Sequence, residues 1–380
     1  MLDETGAQKD KIIYRNEHFP DDLIRMIYTG PNIGVGNPLY QCAKRKCIQK
    51  SDFDTIDLTE IDNLYIQRCK YDIKCSINDY EKLSPRTPWE SNYINEYKIM
   101  CRRRLNQSGE RTLISAIAPK KTSHVHPVLG IVVKNQKKLA VLAGELESIL
   151  FDFFIKTTGK SDLFLNTILK LPFVEEKYHD DIIMRVLLLN CLTKNYNELW
   201  RNCYNDKYKL LHWAKNDKRL TDKLFSDSSV IWNDTICLKN DYERREALVE
   251  IDVLVCMAIG LTLKQLITIY KSEFPVLKDY EENTWYDANG RIVYSINKAL
   301  SGKDSKKRKI VGVNTEEWKV IYNLKAGETY IHNFTDDTQP YGAHERKIEY
   351  IAPFDRCDRE KDYETVWAFF EKKYGSEKEQ

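Results

Sequence analysis

The sequence of 380 residues has no apolar run long enough to cross a membrane. A spanning helix needs about 20 apolar residues, whereas the most apolar segment, residues 248–261, is interrupted by Glu250 and Asp252. The amino-terminal stretch MLDETGAQKDK is polar and lacks the apolar core of a secretory signal peptide. We therefore expect a cytoplasmic protein that has no membrane partner.

Closely paired cysteines, the usual unit of a structural zinc site, are also missing, although the chain has ten cysteines. None of them forms a Cys-x-x-Cys unit, and the pairs Cys42 with Cys47 and Cys69 with Cys75 are more widely spaced. This spacing favours reduced thiols, some of them in the core. A zinc site of four cysteines is the alternative.

The glycine-rich turn that would hold S-adenosylmethionine is absent as well. Such a turn follows a buried strand and opens a helix, but TGPNIGVG at 29–36 has neither around it. The next residues, NPLY at 37–40, differ at one position from Asn-Pro-Pro-Tyr, the active-site tetrapeptide of methyltransferases that modify an exocyclic amino group of DNA. Because the strands and helices that should separate these motifs are missing, we predict a turn at 37–40 and no cofactor in this chain.

Carboxylates and histidines do not complete a metal site in the sequence. His124 and His126 flank one residue and could both bind a metal, but no nearby cysteine or aspartate completes the set. Asp304 followed by Glu317 has roughly the order of the carboxylates that hold Mg²⁺ in a nuclease. Surface helices often produce such patterns, so a nuclease is kept only as an alternative. We assign no metal and no catalytic residue to this chain.

The hydrophobic pattern predicts an α/β (α+β) core after an irregular first segment. Residues 1–84 are punctuated by prolines and short polar runs. Residues 110–118 and 127–133 are short apolar runs that predict two buried strands. Apolar residues over 139–153 recur with helical spacing, and Gly159 is expected to end that helix. We place the α/β core at residues 85–175.

The remaining residues, 176–380, predict a mainly helical domain. The expected helices cover 180–204, 241–260, 262–274 and 362–375. Asn289-Gly290 is a strong turn signal before a short extended run. Residues 301–309 form a polar basic loop in this interpretation.

Positive charge is concentrated in one segment of a chain whose formal net charge is only +2. Residues 98–140 contain ten basic residues and one acidic residue. Arginine can read guanine as a bidentate fork, and lysine holds phosphate. A strand-and-loop block with this composition suits DNA binding, and a solvated basic face is the alternative. The candidate DNA contacts are Arg102, Arg103, Arg104, Arg111, Lys120, Lys121, His124 and His126. Arg111 stands beside a strand and could instead brace the core through a buried carboxylate.

The same block carries a family resemblance. The stretch PWESNYINEYKIMCRRRLNQSGERTLISAIAPKKTSHVHPVLGIVV resembles the recognition region of adenine-specific (N6) DNA methyltransferases of restriction-modification and phage-defence systems, notably type IIG and DISARM-like methylases. LAGELESILFDFFIKTTGKSDLFLNTILKLPF, YDANGRIV and PFDRCDRE resemble later parts of that region in the same order. GPNIGVGNPLYQC resembles a segment that follows the catalytic domain. The resemblance runs from about residue 25 to the end and does not include the cofactor-binding and catalytic half.

The resemblance implies a DNA target-recognition (specificity) subunit or fragment. Its partners would be double-stranded DNA and a separate methyltransferase catalytic subunit or domain that holds S-adenosylmethionine. That half would methylate an adenine flipped out of the stack. Two alternatives remain open: a protein-interaction scaffold or inhibitor that does not touch DNA, and a Mg²⁺-dependent nuclease subunit that uses Asp304 and Glu317.

Overall fold

The computed structural model describes residues 2–49, 51–296 and 310–375, which form a mixed α/β fold with a helical carboxyl-terminal region. The predicted loop 301–309 and Asp304 lie outside the described residues. The strands are β1 (Ile13–His18), β2 (Ile27–Tyr28), β3 (Gln41–Ala43), β4 (Phe53–Thr55), β5 (Cys69–Ile73), β6 (Lys98–Arg102), β7 (Ser115–Ala118), β8 (Ser123–His124), β9 (Val128–Ile131), β10 (Thr284–Tyr286), β11 (Ile292–Ile296), β12 (Ile310–Gly312), β13 (Thr329–Asp336) and β14 (His344–Ile351). The helices are α1 (Glu4–Lys9), α2 (Ile77–Lys82), α3 (Gln136–Glu147), α4 (Ile149–Thr157), α5 (Leu165–Ile168), α6 (His179–Asn190), α7 (Asn197–Cys203), α8 (Lys223–Ser226), α9 (Asp241–Ala258), α10 (Leu263–Glu273), α11 (Pro275–Glu282), α12 (Thr315–Ile321) and α13 (Arg359–Gly375).

The α/β core contains a three-stranded antiparallel sheet in the order β7-β6-β9. The two predicted strands are present as β7 and β9, but both are shorter than expected. Residues 110–114 are not part of a strand, because the carboxylate of Asp152 accepts the backbone N–H groups of Thr112 and Leu113. The central strand β6 was not predicted. It is almost fully buried, and it lies in the basic segment.

The predicted helix at 139–153 is divided into α3 and α4 by Ser148, whose backbone is extended at φ −73° and ψ 152°. The Ser148 side chain caps α4 by accepting the N–H of Phe151, while Asp252 on α9 accepts the N–H of Ile149 at 2.7 Å. The helical spacing of apolar residues continues across Ser148, so the sequence pattern gives no sign of the break. Gly159 has a positive φ of 64° just after α4, as a helix-ending glycine should.

The helical carboxyl-terminal region is present, with one predicted helix in two pieces. The expected helix at 180–204 ends at Asn190, and α7 forms the second piece. The Asn190 amide bonds to the backbone N–H of Ile117 in β7 and to Glu147 in α3, which fixes the end of α6 against the core sheet. The predictions for α9, α10 and α13 are confirmed within a few residues. Within the described ranges, no helix has the length and apolarity needed to cross a bilayer.

Residues 284–296 and 310–351 form a β-rich part, of which the sequence predicted only the turn at Asn289-Gly290 and the short extended run after it. It contains the sheet β10-β11-β12 and the long antiparallel hairpin β13–β14. The predicted turn at Asn289-Gly290 is confirmed, since it joins β10 to β11. Strand β13 alternates exposed and half-buried residues, so it carries too weak an apolar signal to be recognised from its sequence.

The first segment is ordered by strand pairs that the sequence did not reveal. Strand β1 pairs with β5, and β3 pairs with β4 as a hairpin. Strand β2 runs parallel to β8 of the α/β core, with Ile27 opposite Ser123. A small apolar cluster that includes Ile27, Tyr71, Tyr80 and Val125 joins the two parts. This packing brings the β3–β4 hairpin close to the basic segment.

Candidate nucleic-acid interface

A cleft of about 820 Å³ lies between the first segment and the loop that follows β6. Residues of the β3–β4 hairpin, of β5 and of the loop at 102–112 contribute to its lining, together with a few residues of α9 and α11. Its polar and charged lining includes Asn37, Tyr40, Gln49, Lys70, Arg102, Arg104 and Asn106, and also two acids, Glu4 and Glu110. The cleft therefore combines cations with amide side chains that could contact phosphates and base edges.

The NPLY stretch at 37–40 is a turn in the wall of this cleft, as predicted. The N–H of Gly34 donates to the carbonyl oxygen of Asn37 at 2.8 Å, and the Asn37 side chain accepts the N–H of Leu39 at 2.9 Å. Arg102 holds the turn from the other side, since its guanidinium donates twice to the carbonyl oxygen of Ile33. Burial lowers the pKa of the Arg102 guanidinium. Arg102 thus positions the cleft wall and is only partly exposed to it.

The three consecutive arginines do not face the same way. Successive side chains of an extended chain point to opposite sides, so Arg102 and Arg104 line the cleft while Arg103 points away from it. The Arg103 guanidinium lies 4.7 Å from the ring centroid of Phe164 and contacts the exposed imidazole of His126. Arg103 and His126 therefore form a second small polar surface beside the cleft.

Arg104 is the most accessible of the three arginines. Its side chain is 72% exposed and pairs with Asp162 at 2.9 Å. An exposed ion pair of this kind contributes at most about 1 kcal/mol, so the guanidinium can exchange Asp162 for a phosphate or base at little cost. This position makes Arg104 the strongest DNA-contact candidate of the predicted set.

Much of the basic segment is internal. Arg111 is buried, and it donates to the Asp152 carboxylate at 2.6 Å and to the carbonyl oxygen of Glu147 at 2.8 Å. The bracing role considered for Arg111 is thereby confirmed, and only a small part of its side chain, 7% exposed, remains for the cleft lining to which it belongs. Lys98 is fully buried, and burial lowers its pKa to about 7. The number of basic residues in segment 98–140 therefore overestimates the positive charge that the segment exposes on the protein surface.

Lys120 and Lys121 lie at the opposite end of the core sheet from Arg104. They follow β7 at Ala118, which pairs with Lys98 at the start of β6, whereas Arg104 follows the end of β6. Lys120 pairs with Glu198 at 2.6 Å, and Lys121 pairs with Glu81 at 3.2 Å. The predicted basic patch is thus divided between two ends of the sheet.

His124 is buried and has a structural position. Its ring nitrogens lie 2.9 Å from the Tyr93 hydroxyl and 3.1 Å from the carbonyl oxygen of Val125. Burial lowers the pKa of His124 to about 3, so the ring is neutral at physiological pH. The expectation that His124 reaches DNA is corrected to a role in packing, while His126 stays exposed.

Cations also occur outside the predicted block, in the cleft lining as Lys70 and in the turn between β3 and β4. Residues 44–50, KRKCIQK, contain four basic residues, and Lys44 and Lys46 are exposed on the β3–β4 hairpin. Burial raises the pKa of the Cys47 thiol, and the nearby charges of Lys70 and Arg15 oppose that rise. The basic run at 44–50 is a sequence pattern from which a second group of DNA contacts could have been predicted. No pattern in the residues around Lys70 distinguishes it as a candidate.

The remaining candidates for metal binding or catalysis are the cysteines and Glu317. The ten cysteines are free thiols, and all except Cys75 and Cys357 are buried. Glu317 accepts from Tyr330 at 3.0 Å and from the backbone N–H of Asn314 at 2.8 Å, and it lies 2.9 Å from His332. In the part of the chain that the structure describes, no three His, Cys, Asp or Glu side chains cluster as metal ligands would.

Comparison of the chain with protein-family models, with curated proteins and with solved structures finds no match. A function for the chain is therefore inferred from its own residues. The cleft brings Arg102 and the exposed Arg104 of the predicted cluster together with Lys70, which is distant in the sequence.

Proposed function

We propose that the chain is a DNA target-recognition subunit or fragment that serves a separate adenine-specific methyltransferase in restriction-modification or phage defence. It would act in the cytoplasm on double-stranded DNA. The observation that carries this proposal is the cleft, whose lining contains Lys70 of β5 and Arg104 of the loop after β6, with more cations than acids overall. A groove with an excess of cations suits a polyanion, because phosphate contacts supply most of the affinity for DNA.

Specificity would come from groups on the same walls. Gln49 and Asn106 are exposed on the two loops that border the cleft. Their amides can bond to adenine N6 and N7 in the major groove, and Arg104 can form a bidentate pair with guanine. We propose that Lys46 and Lys70 hold phosphates while Gln49, Asn106 and Arg104 read bases.

The catalytic step would belong to the partner. The sequence has no glycine-rich turn for S-adenosylmethionine, and the NPLY turn is held by the Asn37 side chain, which accepts the N–H of Leu39, and by the Arg102 guanidinium, which donates to the carbonyl oxygen of Ile33. In this division of labour the chain grips and reads the duplex, and the separate half methylates an adenine taken out of the stack.

A second candidate is a protein-interaction scaffold. Phe164, Leu165, Leu169 and Phe173 are each 45–75% exposed within ten residues, and apolar patches of this kind often mark protein contacts. A scaffold would bind its partner equally well without DNA, which separates it from the first candidate.

The test is selection from a random duplex pool. The purified chain is expected to retain DNA in a salt-sensitive way, with one enriched sequence motif, since phosphates give affinity and base edges give specificity. The measurement is fluorescence anisotropy at low and physiological salt, followed by sequencing of the retained DNA. Absence of binding at low salt would contradict the proposal and favour the scaffold.

A further inference from the structure

The tip of the β3–β4 hairpin presents an isoleucine at the edge of the cleft. The Ile48 side chain is 63% exposed and lines the cleft beside Gln49 and Phe53. A single exposed apolar residue is common on protein surfaces. Ile48 differs because its backbone N–H is held by the Asp52 carboxylate and two exposed lysines, Lys44 and Lys46, precede it in the same turn.

The hairpin tip is fixed by hydrogen bonds to Asp52. The Asp52 carboxylate accepts the backbone N–H of Ile48 at 2.9 Å and that of Gln49 at 2.8 Å. The base of the hairpin is also anchored, since Arg45 forms a bidentate pair with Asp337, to which Arg68 also donates. Ile48 is therefore presented by a preorganised turn, which lowers the entropic cost of inserting its side chain into a ligand.

The surroundings of Ile48 suit a DNA duplex more than an apolar partner. Lys44 and Lys46 are exposed on the same tip, where Lys44 pairs with Asp54 at 3.4 Å, and Lys70 lines the same cleft as Ile48. An apolar side chain flanked by cations is the arrangement with which proteins open a base step, because the cations hold phosphates while the apolar group replaces a stacked base.

We propose that Ile48 is a wedge that inserts at a base step of the bound duplex and unstacks it, while Lys46 holds the adjacent phosphate. This inference rests on the proposed DNA-recognition function and adds a mechanical role to it. An unstacked step next to the target would lower the cost of extruding an adenine for the catalytic half.

The test compares a matched duplex with the same duplex carrying one central T·T mismatch, both labelled for anisotropy. The full chain is expected to bind the mismatched duplex about tenfold more tightly, because a mismatch reduces the cost of unstacking. Ile48→Ala should remove this preference, so that the matched and the mismatched duplex bind the variant with the same affinity. Ile231→Ala is the matched control, since Ile231 is 75% exposed and lies outside the cleft lining.

The outcomes separate the wedge from the general function. If the unaltered chain binds both duplexes equally, or if Ile48→Ala keeps the preference, the wedge is overturned and DNA recognition stands. An equal loss of both affinities in Ile48→Ala would make Ile48 an ordinary contact and would also overturn the wedge. If the unaltered chain binds neither duplex, the wedge and the proposed function both fail.

Discussion

Replacement of Arg111 by methionine is expected to destabilise the fold by about 3–5 kcal/mol and to leave the DNA affinity of the folded protein unchanged. The Arg111 side chain is 7% exposed, and it pairs with an Asp152 carboxylate that is fully buried. Methionine preserves much of the volume but leaves the carboxylate without its cation. The measurement is urea unfolding of both proteins, with DNA affinity determined well below the unfolding transition.

A double variant provides the control for this prediction. In Arg111→Met combined with Asp152→Leu the uncompensated buried charge is gone, so part of the lost stability should return. The carboxylate also accepts the N–H groups of Thr112 and Leu113, so recovery should be incomplete. A selective loss of DNA affinity in a stable Arg111→Met protein would instead assign Arg111 to the interface.

Reversal of charge at two residues of the cleft lining should have the largest effect on binding. The double variant Lys70→Glu with Arg104→Glu is expected to weaken duplex binding by about 2–4 kcal/mol, or about 30- to 1000-fold. Each lost phosphate contact should also reduce the slope of log K against log salt by about 0.9. Both side chains reach the cleft surface, so the thermal unfolding temperature should change little. Anisotropy titrations at several salt concentrations measure both quantities.

The matched control is Lys120→Glu with Lys121→Glu, which changes the net charge by the same amount. These lysines lie at the other end of the core sheet and pair with Glu198 and Glu81. The control should retain affinity within a few-fold. Equal losses in the two double variants would mean that overall charge, and not the cleft, governs binding.

Local sequence patterns were sufficient to predict the helices and strands in which apolar residues recur with regular spacing. Helices α9 and α13 follow long periodic runs, and β7 and β9 follow apolar runs between turn residues. The break at Ser148 depends on Asp252, which is more than 100 positions away in sequence but bonds to Ile149. Periodicity contains no information about such a contact, so one helix was predicted where two exist.

The candidate site was predictable only in part for the same reason. The arginine cluster was identified from composition, but alternation along the chain separates Arg103 from Arg102 and Arg104. Burial of Lys98 could not be read from a count of charges. Lys70 lines the cleft with residues that are distant in the sequence, and such non-local contacts are the feature that single-sequence patterns describe least well.

The most direct test of the cleft is hydrogen exchange of the full chain with and without a DNA duplex, read by mass spectrometry. We expect slower exchange in bound protein at residues 44–49 and 102–111, which border the cleft, and unchanged exchange at 119–122. Protection confined to 119–122, or to the exposed apolar segment 164–173, would contradict the assignment of the cleft as the DNA-binding surface.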